Sequence, residues 1–104
     1  MSEDVLESLG YDEKLILYYL AQNKGEFKNL KEISKGTGIP HSYVRPKLAS
    51  SEKLDLVVVE KKGRTVIALI TEKGITGLTA YLDSYKGKIL EKKFKEAIKK
   101  DWWE

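Results

Sequence analysis

Apolar positions along this chain recur with two different periods, and the changes of period mark its parts. Leu15, Ile16, Tyr19 and Leu20 share one side of a helix expected from Asp12, as N-cap, to about Asn23, with Gly25 as its stop. Leu17 and Tyr18 widen that stripe, so the helix should be buried on more than one side. Ahead of it, residues 3–9 make a short helical lead-in ending at Gly10. Asn29 followed by Glu32 has the form of a capping box and opens a helix over 30–36, with Leu30 and Ile33 facing inward. Gly36-Thr37-Gly38 supplies the permissive backbone of a turn, and Ile39 plugs the core between this helix and the next. Over residues 41–53 the helical period puts Val44, Leu48 and Ser51 on an inward face. Ser42, Pro46, Ala49, Ser50 and Lys53 take the opposite face, flanked by Tyr43 and Arg45.

The period then falls to two. Strands are expected at about 56–61 and 64–71, joined by a Lys62-Gly63 turn. That register places Leu56, Val58, Ile67 and Leu69 on one face and Val57, Val59, Val66 and Ala68 on the other. Both faces are apolar, whereas a hairpin with one face in water alternates. Something must cover the second face, either the C-terminal helix or a partner subunit. After a short Glu72-Lys73-Gly74 joint, a long helical segment is expected from Ile75 to about Lys100. Ile75, Leu78, Leu82, Tyr85 and Ile89 form a heptad-like stripe. Gly87 interrupts it, and the stripe shifts to Leu90, Phe94, Ala97 and Ile98, so the segment is either kinked there or two helices. Trp102 and Trp103 close it, either anchoring a partner or packing on their own chain.

Composition narrows the function classes. The 104 residues are expected to form one domain over 1–104 with a small core. Cysteine is absent, which removes disulfides, thiol nucleophiles and Cys-based metal sites. The first residues are acidic, unlike a signal peptide, and the apolar run Leu15–Ala21 is too short to cross a bilayer. A cytoplasmic protein without a membrane partner is the expectation, in host cytoplasm if the source is a virus. Abundant Lys and Glu with scarce Asn and Gln match the bias of thermophile proteins. The formal net charge of +3 conceals a division. Residues 1–23 hold five acids and one base, while residues 24–100 hold eighteen bases and nine acids. A basic body points to a polyanion partner. His41 is the one histidine and has no cluster of ligands around it in sequence. Ser42, Ser50 and Ser51 have no partner base except His41. No phosphate loop or carboxylate pair is present, so neither an enzyme nor a cofactor is expected.

The order helix, turn, helix and basic-tipped hairpin resembles winged helix-turn-helix transcriptional regulators of the MarR-like and PadR-like families and small regulators of archaea and their viruses. The residues that carry the resemblance are Leu30-Lys-Glu-Ile33, Gly38-Ile39, Val44 to Leu48, Leu54-Asp-Leu-Val57 and Leu69-Ile-Thr-Glu-Lys-Gly74. It covers about residues 12–82. It implies a mainly α fold with a small β-hairpin (α+β), a core over 12–74, and an extended C-terminal helical dimerisation segment over 75–104. It also implies a homodimer that binds double-stranded DNA in transcriptional control.

Carried over by position, residues 41–50 become the recognition helix. His41, Ser42, Tyr43, Arg45, Lys47, Ser50 and Lys53 then face DNA, and Lys61, Lys62 and Arg64 at the wing hold phosphates. Ile75, Leu78, Leu82, Tyr85, Ile89, Trp102 and Trp103 become dimer contacts. Three residues depart from the pattern. Pro46 stands inside the recognition helix, so that helix either starts late, near Ser42, or bends. Asp55 stands where these families often have Gly. The exposed helix face is short of Arg, Asn and Gln, the residues that read base edges, so modest base selectivity with strong salt dependence is expected. The alternative is a winged-helix protein-interaction module within a transcription or replication assembly. The apolar hairpin and the Trp pair would fit that role. No residue points to a small-molecule effector.

Overall fold

A computed structural model describes the backbone of residues 2–102 and the side chains of residues 5–98. Its helices and strands follow in the order α1 (Ser2–Glu7), α2 (Tyr11–Gln22), β1 (Lys28–Asn29), α3 (Leu30–Thr37), α4 (His41–Lys53), β2 (Val57–Lys62), β3 (Thr65–Ile70), α5 (Glu72–Leu82) and α6 (Tyr85–Trp102). The antiparallel sheet has the order β1-β3-β2. The fold is therefore α+β, mainly helical, as the sequence predicts.

α2 is the central helix. Leu15, Ile16, Leu17, Tyr18 and Leu20 are all buried, which matches the widened stripe. It begins two residues earlier than the sequence implied. Gly10 is the N-cap, and its backbone N–H donates to Glu13 Oε1 at 2.8 Å, so Asp12 is a first-turn residue rather than the cap. α3 has the full capping box: Asn29 Oδ1 accepts from the Glu32 N–H at 2.8 Å, and Glu32 Oε1 accepts from the Asn29 N–H at 2.9 Å. The helix continues through Gly36 to Thr37, and Gly38 alone makes the left-handed turn. Thr37 Oγ1 donates to the Ile33 carbonyl at 2.7 Å and accepts from the Ile39 N–H at 3.2 Å, while Ser34 Oγ donates to the Ile39 carbonyl at 2.6 Å. These bonds fix the turn and drive Ile39 into the core, where it is 4% exposed.

The hairpin turn is displaced by one residue. Lys62 pairs with Thr65, so the turn is Gly63-Arg64, and Val58 opposes Leu69 while Val59 opposes Ala68. Gly63, first in the turn, has a φ of 64°, the glycine-first arrangement that suits a type II′ turn. Moving a two-residue turn by one position shifts the pairing by two, which keeps every side chain on its expected face. Val57, Ala68 and Ile70 accordingly face the core, and Val58 faces out at 38% exposure. β1, a strand the sequence did not announce, pairs Lys28 with Ala68 and Asn29 with Ile67. The same register brings Phe27 opposite Leu69, and Phe27 is 41% exposed.

The C-terminal half departs most from expectation. Glu72-Lys73-Gly74 is no joint but the first turn of α5, capped by Thr71, whose Oγ1 accepts from the Gly74 N–H at 2.9 Å. Of the two expected alternatives, a kink or two helices, the chain has two helices, and they divide at Asp83-Ser84 rather than at Gly87. Ser84 starts the second helix, its Oγ accepting from the Gly87 N–H at 3.0 Å. Gly87 lies against the last turn of α5, where a Cβ would sit 2.7 Å from Leu82 Cα. It permits the tight reversal. α6 then packs back on α2, α3 and α5, with Phe94 wholly buried between Tyr11 and Tyr18 at ring-centroid distances of 5.4 and 5.3 Å. The C-terminal segment is thus folded onto the body rather than extended from it.

Candidate nucleic-acid interface

α4 owes its orientation to three residues. Val44, Leu48 and Ser51 are 0%, 0% and 2% exposed, so one side of the helix is sealed against α2, α3 and the foot of β2. The other side must therefore face water. Ser42, Tyr43, Arg45, Pro46 and Lys53 are exposed there, and Ala49 and Ser50 are half-buried. Tyr43 holds a large aromatic ring 58% exposed at the N-terminal end of the helix.

The helix runs from His41, one residue before Ser42, through Pro46 to Lys53, so the proline lies inside it. Pro46 lies on the exposed side, and so does Ser42, whose carbonyl loses its helical donor to the proline ring. Water can satisfy that carbonyl, which is why this position tolerates a proline. The N-cap is Pro40, which offers no side-chain acceptor to the first-turn N–H groups.

The wing tip lies beyond the core. Lys61, Lys62, Gly63 and Arg64 are all exposed. Lys61 and Lys62 belong to opposite faces of the hairpin and Arg64 to its turn, so the three cations surround the tip instead of lining one side. The base of the hairpin is held firmly. Asp55 adopts a left-handed φ of 63°, a conformation that Gly takes more readily and that Asp also tolerates. Its carbonyl accepts from Thr71 Oγ1 at 2.7 Å, and the Leu56 carbonyl accepts from the Thr71 N–H at 3.0 Å. Thr71 thus clamps the entry and exit of the hairpin while it caps α5.

Not every sequence candidate is equally free. Lys47 is turned toward α2, where its Nζ lies 3.7 Å from Asp12 Oδ2. Among the described residues the other ion pairs are Lys28 with Glu26 and Lys86 with Glu7, so Arg45, Lys53, Lys61, Lys62 and Arg64 have no carboxylate partner there. Glu52 and Glu60 are the acids on α4 and on the wing. No His, Asp and Glu cluster that could hold a metal ion occurs among the described residues, and no described helix is long and apolar enough to cross a membrane.

The expected dimer residues are not brought together on one helix. Ile75, Leu78 and Leu82 belong to α5, and Tyr85 and Ile89 to α6. Leu78 is buried in the chain's own core at 3% exposure, Ile75 and Leu82 pack against that core, and Tyr85 and Ile89 are 81% and 47% exposed. Trp103 and the side chain of Trp102 lie outside the described residues. Sequence reasoning missed Phe27, whose exposed ring adds to the outer sheet face. β1 has two residues and no alternation to betray it.

One tyrosine of the core is electrostatically perturbed. Burial, then the charge and hydrogen bond of Glu91, push the Tyr18 hydroxyl up to about 12. That hydroxyl donates to Glu91 Oε2 at 3.1 Å and ties α6 to α2.

No protein-family model matches the chain, and no curated protein sequence matches it. Among solved structures, it is similar to one that describes the regulation of DNA binding of Bordetella bronchiseptica BpsR by 6-hydroxynicotinic acid. The TM-score is 0.63 at 16% identity, over 90% of this chain and 70% of that chain. The likeness is one of fold: a mainly helical chain with a small antiparallel sheet, built as a winged helix.

Proposed function

We propose that the protein binds duplex DNA, with α4 in the major groove and the wing tip on the flanking backbone, and that it acts as a transcriptional regulator. The observation that carries this reading is the division of α4. One side is sealed, the other presents Tyr43 and Arg45 to solvent, and the hairpin that follows carries Lys61, Lys62 and Arg64 at its tip without carboxylate partners among the described residues. An α-helix fits the major groove, and phosphate contacts from flanking cations supply affinity. The fold likeness to a solved structure concerned with DNA binding adds support. Arg45 is the main candidate base reader, so binding should be only modestly selective.

Fluorescence anisotropy with random duplex and with DNA from the gene's upstream region, over a salt series, tests the proposal. Each phosphate contact contributes roughly 0.9 to the slope of log affinity against log salt. Lys62→Ala with Arg64→Ala should therefore weaken binding to every sequence and flatten the slope by about 1–2. Unchanged affinity and slope would remove the wing from the interface. No binding of the parent protein at low salt would remove DNA altogether.

Two copies on one duplex would set two recognition helices about one helical turn apart. We include self-association in the proposal, with sedimentation equilibrium as its test. A second reading, a protein-interaction module without sequence-specific DNA binding, is favoured by the outer sheet face, where Phe27 and Val58 are 41% and 38% exposed. Failure of DNA binding at low salt would leave it as the working function.

A further inference from the structure

α6 has two usable faces, and the fold consumes only one. Gly87, Phe94 and Ile98 are buried, and Leu90, Glu91 and Ala97 are half-buried against the body. The face turned away from them carries Tyr85, Ile89, Lys92 and Glu96, spaced four, three and four residues apart. That is a and d spacing over less than two heptads, with apolar Tyr85 (d) and Ile89 (a) in the first turn and charged Lys92 (d) and Glu96 (a) beyond them. Tyr85 is 81% exposed and Ile89 47%, one helical turn apart.

In this frame the four flanking e and g positions are Lys86, Lys88, Lys93 and Lys95, all exposed lysines. Lys86 reaches a carboxylate, Glu7 Oε1, only at 4.0 Å and remains 74% exposed. The e and g charges of a seam choose its partner. A second copy of α6 would set lysine against lysine at every flank, which is unfavourable. A duplex backbone would match the lysines, but it would leave Tyr85 and Ile89 against charged phosphates. A helix with acids at its e and g positions satisfies both features. Its apolar residues would cover Tyr85 and Ile89 while its carboxylates meet the four lysines.

We infer that the outer face of α6 is a docking seam for an acidic amphipathic helix of another protein. This site is separate from the DNA-binding face, since α6 packs chiefly on α2, α3 and α5 and the proposed DNA contacts lie on α4 and the hairpin. The inference does not rest on the DNA reading, and its test contains an arm without DNA.

The probe is a labelled 21-residue helical peptide with Leu at a and d and Glu at e and g. The control peptide has Lys at e and g. Anisotropy with the full chain should show saturable binding of the acidic peptide, weakening as salt rises, and no binding of the control. Ile89→Asp, and separately Lys88→Glu with Lys95→Glu, should each weaken the acidic peptide at least tenfold. All three side chains are exposed, so circular dichroism should be unchanged. Equal binding of both peptides, or insensitivity to these variants, would overturn the seam. If Lys88→Glu with Lys95→Glu lowers duplex DNA affinity as much as the wing variant does, the face is a nucleic-acid track and the inference fails. If Ile89→Asp converts a dimer to a monomer, the face is a self-contact and the inference also fails.

Discussion

Gly74→Ala sets two well-defined effects against each other. Gly74 lies in the first turn of α5, and replacing a helical glycine by alanine ordinarily favours folding by up to about 1 kcal/mol. Here the added Cβ would fall inside the contact radius of the Leu56 carbonyl oxygen. It would also lie 2.8 Å from Ile70 Cγ1 and 3.2 Å from the Leu56 carbonyl carbon. Two of those three atoms are backbone and cannot rotate aside. Overpacking of this kind costs about 1–3 kcal/mol. If the Leu56 carbonyl retreats, its 3.0 Å bond from the Thr71 N–H is lost as well, for about another 1 kcal/mol. The steric effect wins, and the net destabilisation should be about 1–3 kcal/mol. In a domain of this size that lowers Tm by about 4–8 °C per kcal/mol. Urea denaturation followed by circular dichroism reads the change as a lower midpoint at unchanged slope. A midpoint equal to or above that of the parent would mean that α5 does not press on the foot of β2, and the account of how the hairpin is aimed would fall with it.

Other outcomes follow from the same geometry. Asp55→Gly removes a side chain from a left-handed position while keeping the carbonyl that accepts from Thr71, and should stabilise by about 0.5–1 kcal/mol, whereas Asp55→Val should destabilise; thermal melts distinguish the two. Asn29→Ala removes one half of the capping box and should cost about 1 kcal/mol in the same melts; no loss would mean that Glu32 alone caps α3. The raised value of Tyr18 has a definite sign. The native state holds this proton more tightly, so the stabilisation is complete below about pH 10 and is lost as pH rises toward about 12. Comparing the parent with Tyr18→Phe between pH 9 and 12 isolates it from the titrating lysines: the stability difference should shrink across that window, and a constant difference would refute the Tyr18–Glu91 tie.

The buried face of α4 was legible because a helix fixes the angle between successive side chains. Once Val44, Leu48 and Ser51 are assigned inward, Tyr43, Arg45 and Lys53 have nowhere to go but out. The capping box at Asn29 and Glu32 was legible for a related reason, since both bonds span three residues. The faces of the hairpin survived a misplaced turn because strand periodicity has only two states. Ser84 was readable in principle: Asp83-Ser84 is an N-cap signal inside an apolar stripe, but the heptad spacing runs past it to Tyr85 and Ile89 and the glycine at 87 drew the break instead.

The sequence by itself determined the features governed by neighbours a few residues apart: which segments are helical, which faces are apolar, and where the basic tip lies. Tertiary structure decided the rest. The direction of α6 depends on Gly87 meeting the end of α5 and on Phe94 finding Tyr11 and Tyr18 more than seventy residues back along the chain. The strand role of Lys28 and Asn29 depends on the position of β3, some forty residues away. Contacts between residues so far apart leave no period in the local pattern, because either partner alone looks like any other apolar or polar residue. Only the folded chain shows that the apolar face of α6 is consumed and that Tyr85 and Ile89, edged with lysines, are left to solvent on the opposite face.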